Sequence, residues 1–157
     1  MIAISGLWLG SSILSRSPTT ACGPLSARIF AGSSATDTNF MVKVLDVWPT
    51  GFVQRLNDGM VRARFRNGWE RPELIEPGRV YQYDLDVWNT CQRFLPGHRL
   101  RIEVASSAFP KFDRNPNTGD PLGTSARLEV ADQAIHHDAK RPSYVLIPIA
   151  PAAAIRR

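Results

Sequence analysis

Apolar and polar residues alternate in two segments near the middle of the chain. In residues 79–88, every second residue from Tyr81 to Val87 is aromatic or aliphatic, with Gln or Asp between them. In residues 99–104, every second residue from Leu100 to Val104 is aliphatic, with Arg or Glu between them. A period of two places the apolar set on one face of a β-strand and the polar set on the other. Both segments are therefore predicted to be half-buried strands.

Short apolar segments separated by turn residues recur along the rest of the chain, and helical periodicity is nearly absent. Pro148 favours a strand end or a sheet edge, because proline cannot donate to a ladder. The spacing predicts an all-β sandwich or barrel. The further predicted strands are residues 25–31, 40–48, 52–56, 60–66, 126–137 and 143–149.

Turn chemistry predicts the connections between these strands. Asn57-Asp58-Gly59 lies between two extended segments, and Asp-Gly supplies the positive φ angles of a tight hairpin turn. Residues 67–78 and 113–123 are rich in Pro and Gly and are predicted loops, and residues 89–94 are predicted to form a short helical turn. Long loops on β scaffolds commonly carry function, so the loop after residue 105 is a candidate site.

Length and composition indicate one globular domain. The chain has 157 residues, of which 43% are hydrophobic and 21% charged, enough apolar surface for a core. The predicted division is an unrelated or remodelled N-terminal segment (1–22), a β domain (23–150) and a frayed tail (151–157). The two cysteines, Cys22 and Cys91, are too few and too far apart for a disulfide framework or a zinc module, so free thiols are expected.

The first 22 residues are apolar and carry little charge, which is also typical of a signal-peptide core. They lack a basic start and a small-residue cleavage pattern, so a cytoplasmic location is favoured, with export by a weak signal as the alternative. No segment approaches the roughly 20 apolar residues of a transmembrane helix, and no membrane association is predicted.

The formal net charge of +5 comes mainly from arginine spread along the chain. Arg62, Arg64 and Arg66 alternate with apolar residues and would share one strand face, which suggests a phosphate-contacting surface. Outer strand faces are commonly charged and solvated in the same way, and this simpler interpretation is favoured. No nucleic-acid partner is predicted.

The sequence contains no recognisable catalytic motif. Gly-x-Ser-x-Gly is absent, and His136 and His137, being adjacent, would point to opposite faces of a strand and could not share a metal. His98 follows a Pro-Gly turn and is expected to be structural. Asp84 and Asp86 share a strand face, where pairing with a neighbouring arginine is expected more often than cation binding. We predict no catalytic residue, cofactor or metal, and no hydrolytic activity for the chain alone.

Several longer sequence motifs, or phrases, in this chain resemble those of one enzyme family. The C-terminal domain of X-prolyl dipeptidyl-peptidases and cocaine-esterase-like (CocE/NonD) acyl hydrolases is similar to this chain over about residues 23–149. The phrases that carry the resemblance are, in chain order, residues 36–40 (TDTNF), 44–51 (VLDVWPTG), 58–64 (DGMVRAR), 81–90 (YQYDLDVWNT), 94–101 (FLPGHRLR), 106–119 (SSAFPKFDRNPNTG) and 142–144 (PSY).

The resemblance implies a jelly-roll β-sandwich, similar to galactose-binding modules and incomplete at its N-terminal side. It implies an accessory domain that packs on an α/β-hydrolase domain and shapes its active-site cleft, whereas the catalytic triad belongs to that other domain. A gene fragment or one part of a split enzyme would fit this picture. A sandwich without its opening strands would self-associate or bind a partner unless residues 2–14 supply a replacement strand.

The loop that follows the second alternating segment is the candidate interdomain contact. The alternative function is a free-standing carbohydrate- or peptide-binding module that uses Trp69, Trp88 or Phe112 as stacking platforms. For Trp88, burial inside the sandwich is the favoured interpretation. For the loop, a rigid structure held by side-chain turns of Asp113 and Asn115 is the simpler alternative to ligand contact. The candidate contact residues are Phe109, Phe112, Asp113, Arg114, Asn115 and Asn117.

Overall fold

Two antiparallel sheets make up the structure, a computed structural model that describes residues 2–5, 11–14 and 16–151, with side chains described for 16–151. The strands are β1 (Ile2–Ser5), β2 (Ser11–Leu14), β3 (Thr19–Ser33), β4 (Asn39–Val47), β5 (Val53–Arg62), β6 (Tyr81–Phe94), β7 (Arg99–Ala105), β8 (Gln133–His136) and β9 (Tyr144–Ile147). One sheet has the strand order β1-β9-β3-β6, with β8 also pairing with β3, and the other has the order β2-β7-β4-β5.

The predicted all-β fold is confirmed, since the described residues contain only strands and one short 3-10 helix, Ala63–Phe65. The alternating residues of β6 and β7 bury Tyr83, Leu85 and Ile102, as their period of two requires. β4 is buried on both faces and lies in the middle of its sheet, between β5 and β7. The hydrophobic core lies between the two sheets, and Phe40 packs against Tyr83 across it. The jelly-roll topology stays a prediction.

The predicted hairpin turn at residues 57–59 is wrong. β5 runs without interruption from Val53 to Arg62, and the hairpin closes earlier, where Gly51 N donates to Trp48 O at 3.0 Å. Gly59 is needed for close approach rather than for a turn, because a Cβ there would collide with the Asp86 carbonyl oxygen of β6. Asn57 completes this junction between the two sheets by donating its amide to Val87 O and Asn89 O.

β6 also differs from its prediction, because residues 89–94 continue the strand instead of forming a helical turn. This extension pairs with the first part of β3, and the register places Cys22 opposite Cys91. The two cysteines form a disulfide, so the expectation of free thiols is wrong. Separation in sequence was a poor guide, since antiparallel pairing of two long strands brings residues 22 and 91 face to face.

Two further predictions fail at strand ends. β5 ends at Arg62 and the chain turns into the 3-10 helix, so Arg62, Arg64 and Arg66 do not share a strand face. Only Gln133–His136 of the predicted strand 126–137 is extended in a ladder, and the residues before it belong to a long loop. Polar tertiary contacts, described below, hold both regions.

The N-terminal segment contributes one short strand to each sheet. β1 pairs with β9, with Ile2 opposite Ile147, and β2 pairs with β7, with Leu14 opposite Arg99. The hypothesis gave residues 2–14 one replacement strand, whereas the described residues of this segment form two strands in different sheets, and their role as replacements stays a prediction. β3 begins at Thr19 and crosses the predicted boundary at residue 22 without interruption. Of the predicted tail, only Pro151 lies within the described residues.

Candidate interdomain loop

The candidate residues lie on one long loop, residues 106–132, which connects β7 to β8 at one end of the sandwich. Phe109 is 74% exposed, and Asp113 and Arg114 are also exposed. Phe112 and Asn117 are half-buried, and Asn115 is buried. The loop therefore has an anchored part and a part that faces solvent.

A buried polar cluster anchors the loop to the sandwich. Asn115 donates its side-chain amide to Asp37 Oδ2 at 3.0 Å and to Asn39 Oδ1 at 3.1 Å. Arg64 Nε donates to the same Asp37 Oδ2 at 2.8 Å, and the Arg64 backbone N–H donates to Asp37 Oδ1. Since buried polar groups cost free energy unless they are hydrogen-bonded, these contacts fix the loop position strongly.

Arg62 extends the cluster from the end of β5. Its Nε donates to Asn39 Oδ1 at 3.0 Å, and its Nη2 lies 2.8 Å from Asp113 Oδ2. Arg62 is buried whereas the Asp113 side chain is 74% exposed, so the ion pair spans the boundary between the core and solvent. Asp113 thus holds the loop through an arginine rather than through the side-chain turn that was expected.

The second half of the loop folds back on the first. Asn115 Oδ1 accepts from the Asn117 backbone N–H, which is the predicted side-chain turn, and Asn117 adopts a φ of 63°. The Asn117 amide donates to Glu129 O, while Glu129 N donates to Pro116 O, both at 2.9 Å. Arg64 Nη2 holds Asp120 O at 2.9 Å. The loop is thus tied to itself and to the sandwich along most of its length.

Phe112 and its neighbour Lys111 hold the start of the loop against the sheet. Lys111 pairs with the buried carboxylate of Asp58 on β5, and its ammonium group lies 5.2 Å from the centre of the Phe112 ring. Arg55 Nη1 lies 3.3 Å from the other oxygen of Asp58. Phe112 is therefore half-buried with the Lys111 ammonium group near its ring, which leaves less of the ring available for stacking on a ligand.

A groove of about 630 Å³ opens between the two halves of the loop. Its walls are largely apolar, and Leu122 and Leu128 are 46% and 53% exposed. Three charged side chains also line it, Arg62, Asp113 and Arg114. Arg62 and Asp113 pair with each other, whereas no carboxylate in residues 16–151 forms an ion pair with Arg114.

The other sequence candidates lie away from this loop. His98 is buried and structural, as predicted, with Nδ1 2.9 Å from Asp46 Oδ1 and its ring against Trp48. Asp84 pairs with Arg28 Nε at 2.7 Å, as expected of an outer strand face. Hydrogen bonding to Arg28 lowers the pKa of the Asp84 carboxyl below its ordinary value, and a hydrogen bond from Gln82 adds to this effect.

Asp86 and the two adjacent histidines, His136 and His137, also lie outside the 106–132 loop. Asp86 accepts a hydrogen bond from the Trp88 backbone N–H, and β8 ends at His136, beside His137. Within residues 16–151 no group of three His, Cys, Asp or Glu side chains is arranged to hold a metal ion. No helix among the described residues is long and apolar enough to cross a membrane.

The tryptophans differ from expectation in one respect. Trp88 is 65% exposed with a φ of 65°, so its predicted burial inside the sandwich is wrong. The positive φ angle falls where β6 passes the irregularity in its pairing with β3 and turns the side chain outward. Trp69 is 77% exposed and stacks on Phe65 at 4.7 Å between ring centres.

Sequence reasoning missed the residues that hold the loop. The sequence analysis assigns Asp37 and Asn39 only to a family motif, yet both are fully buried. Arg62 and Arg64 were assigned to a solvated face. A usable signal was present, because charged and amide residues at the junction of an apolar strand and a turn must find partners if they are buried.

The two antiparallel sheets define a β-sandwich domain. Residues 16–146 match the family described as the X-Pro dipeptidyl-peptidase C-terminal non-catalytic domain, and the chain belongs to that family. The resemblance inferred from the sequence phrases is confirmed.

Individual relatives agree with this assignment. The chain is 43% identical to the cocaine esterase of Rhodococcus sp. over 134 residues, which cover 84% of this chain and 23% of that enzyme. The crystal structure of an aminopeptidase from a marine sediment Thaumarchaeota archaeon has a TM-score of 0.84 and 30% identity, covering 91% of this chain and 26% of that chain. An α-amino acid ester hydrolase has a TM-score of 0.78 and 26% identity, covering 90% and 25%. The chain thus spans about a quarter of the length of these relatives.

Proposed function

We propose that the chain acts as the accessory domain of a serine hydrolase, packing through the 106–132 loop on an α/β-hydrolase domain and forming part of the wall of its active-site cleft. The observation that carries this proposal is the combination of a firmly anchored loop with exposed apolar side chains. Phe109, Leu122 and Leu128 are presented to solvent on a loop that Asn115 fixes from below.

This arrangement is costly unless the apolar side chains are covered by a partner. Exposed apolar patches mark interaction surfaces, and a loop already held in place loses little conformational entropy when it binds. The length of the relatives, about four times the part that matches, supports a catalytic domain as the partner.

The chain itself is proposed to be non-catalytic. The buried His98–Asp46 pair resembles half of a catalytic triad, but its imidazole packs against Trp48 and no serine or cysteine in residues 16–151 hydrogen-bonds to it. Gln92 Nε2 donates to Asp46 Oδ2 at 3.1 Å, so the buried Asp46 carboxylate is held by two side chains of the fold, His98 and Gln92. The pair therefore ties the ends of β4 and β7 together.

A chimera tests the proposal. This chain replaces the matching C-terminal quarter of the Rhodococcus cocaine esterase, and hydrolysis of an activated acyl ester is measured for the chimera and for the chain alone. We expect turnover by the chimera, with both parts unfolding in one calorimetric transition, and none by the chain. Separate transitions with no turnover would contradict interdomain packing, and turnover by the chain alone would contradict its non-catalytic role.

A free-standing binding module is the second candidate function. The exposure of Trp69 and Trp88 favours it, since exposed aromatic rings can stack on sugars or peptides. A thermal-shift response of the chain to a glycan panel, lost on Trp69→Ala or Trp88→Ala, would support this function. The absence of any response would leave the accessory-domain proposal.

A further inference from the structure

The groove of the 106–132 loop combines apolar walls with one arginine that has no acidic partner. Phe109, Leu122 and Leu128 supply exposed apolar surface, and Arg114 extends along the same groove. In the described residues every other charge that lines the groove is paired, because Arg62 and Asp113 form an ion pair at 2.8 Å. The groove therefore carries one uncompensated positive charge.

We propose that this groove binds a segment of the hydrolase partner in which an Asp or Glu is flanked by apolar side chains, with the carboxylate on Arg114. The inference rests on the proposed function and adds the chemistry of the partner surface. The expected ligand of the groove is therefore a protein segment that carries both acidic and apolar side chains.

Desolvation gives the reason for the carboxylate. A partner that covers Leu122 and Leu128 also removes water from the neighbouring guanidinium, and a charge that loses water without gaining an acceptor opposes binding. A carboxylate offsets that cost because it can accept two parallel hydrogen bonds from arginine. A purely apolar partner segment would leave Arg114 unpaired, and a basic one would repel it.

Arg62 fixes the floor of the groove. It is buried beneath the groove, where Asn39 and Asp113 hold its guanidinium in place. Its charge is offset by the Asp113 carboxylate at 2.8 Å, so Arg114 stays the one charge of the groove without an acidic partner in residues 16–151. Rigid positioning of the loop by Asn115 keeps this charge pattern in register with the apolar walls.

The chimera with the Rhodococcus esterase provides the test, with Arg114→Glu and Arg114→Lys as the variants. Arg93→Glu is the matched control, since Arg93 is exposed, has no ion pair within residues 16–151, and lies on β6 near the opposite end of the sandwich. We expect Arg114→Glu to lower kcat/KM for ester hydrolysis at least about tenfold, with less effect at high salt. Arg114→Lys should retain most of the activity, and Arg93→Glu should retain all of it.

A second readout identifies the carboxylate directly. Carbodiimide treatment of the Arg114→Lys chimera should join the introduced amine to an Asp or Glu of the hydrolase part, detected by mass spectrometry of the linked peptides. The same treatment of an Arg93→Lys chimera should give no such link. Melting of the free chain with Arg114→Glu should be unchanged, because Arg114 has no ion pair within residues 16–151.

The outcomes separate the inference from the proposed function. If the parent chimera is inactive and its parts unfold separately, both are overturned. If the parent chimera is active but Arg114→Glu behaves like Arg93→Glu and no link forms, only the acidic segment is overturned. Loss of activity with Arg114→Glu, together with a link at residue 114, supports both.

Discussion

Asn115 donates its side-chain amide to Asp37 at 3.0 Å, and this contact joins the middle of a surface loop to a fully buried carboxylate 78 residues away in sequence. Through the same amide nitrogen Asn115 also reaches Asn39, and through its oxygen it holds Asn117. One side chain thus connects the loop to the start of β4, and through Asp37 and Asn39 to the arginines that share these acceptors, Arg64 and Arg62.

Asn115→Ala should loosen the loop without unfolding the sandwich. The substitution leaves acceptors on Asp37 and Asn39 without this donor, and an unmade buried hydrogen bond costs about 1–3 kcal/mol. We expect that loss in urea unfolding, with faster tryptic cleavage at Lys111, Arg114 and Arg127. Asn67→Ala is the control, since Asn67 makes one exposed contact with Glu73. Equal cleavage rates for the two variants would show that Asn115 does not anchor the loop.

The disulfide between Cys22 and Cys91 should contribute substantially to stability. It links residues separated by 69 positions, and cross-linking a loop of that length restricts the unfolded chain by about 4 kcal/mol in the entropic account. Because both cysteines are exposed, dithiothreitol should lower the melting temperature of the native chain. A Cys22→Ala/Cys91→Ala variant should melt at the reduced temperature whether or not reductant is present. No response of the native chain to reductant would exclude the disulfide.

The Asp84 carboxyl should titrate at a lower pH in the folded chain than in the unfolded chain. Its pKa is lowered by hydrogen bonding to Arg28, so the pair stabilises the fold above the ordinary carboxyl pKa and loses that effect as the pH falls through the lowered value. Carbon-detected NMR titration should show the Asp84 pKa rising in an Arg28→Met variant. An unchanged titration curve would mean that Arg28 does not perturb this carboxyl.

Removal of residues 1–15 should promote self-association. β1 and β2 pair with β9 and β7, so their loss leaves both partner strands with unpaired backbone groups at a sheet edge. Light scattering after size exclusion should show larger species for the truncated chain than for the full chain at equal concentration. A truncated chain that keeps the size and melting temperature of the full chain would show that these short strands are dispensable.

Strands with one apolar face and one polar face could be predicted from the sequence. The predictions were wrong where tertiary contacts override local turn preferences. Alternation located β6 and β7 because their burial follows a period of two. The Asp58-Gly59 turn signal is local, whereas pairing with β4 holds both residues in an extended strand. Glycine is required at residue 59 because the backbone of β6 passes too close for a Cβ. Family motifs located the candidate loop. The junction of strand and turn indicated that Asp37 and Arg64 would need partners if buried, but it could not identify Asn115 and Asp120, which lie far away in sequence.

The accessory-domain account is tested most directly by kcat/KM for ester hydrolysis in two chimeras that differ only in which end of the sandwich is altered. Leu128 lies in the groove and is 53% exposed, and Leu95 lies in the turn before β7, at the opposite end, and is 49% exposed. A charge placed in a buried interface is costly, whereas one on a free surface is not. We predict that Leu128→Asp lowers kcat/KM at least about tenfold while Leu95→Asp leaves it unchanged. Equal activity of the two chimeras, or loss confined to Leu95→Asp, would contradict packing through the 106–132 loop.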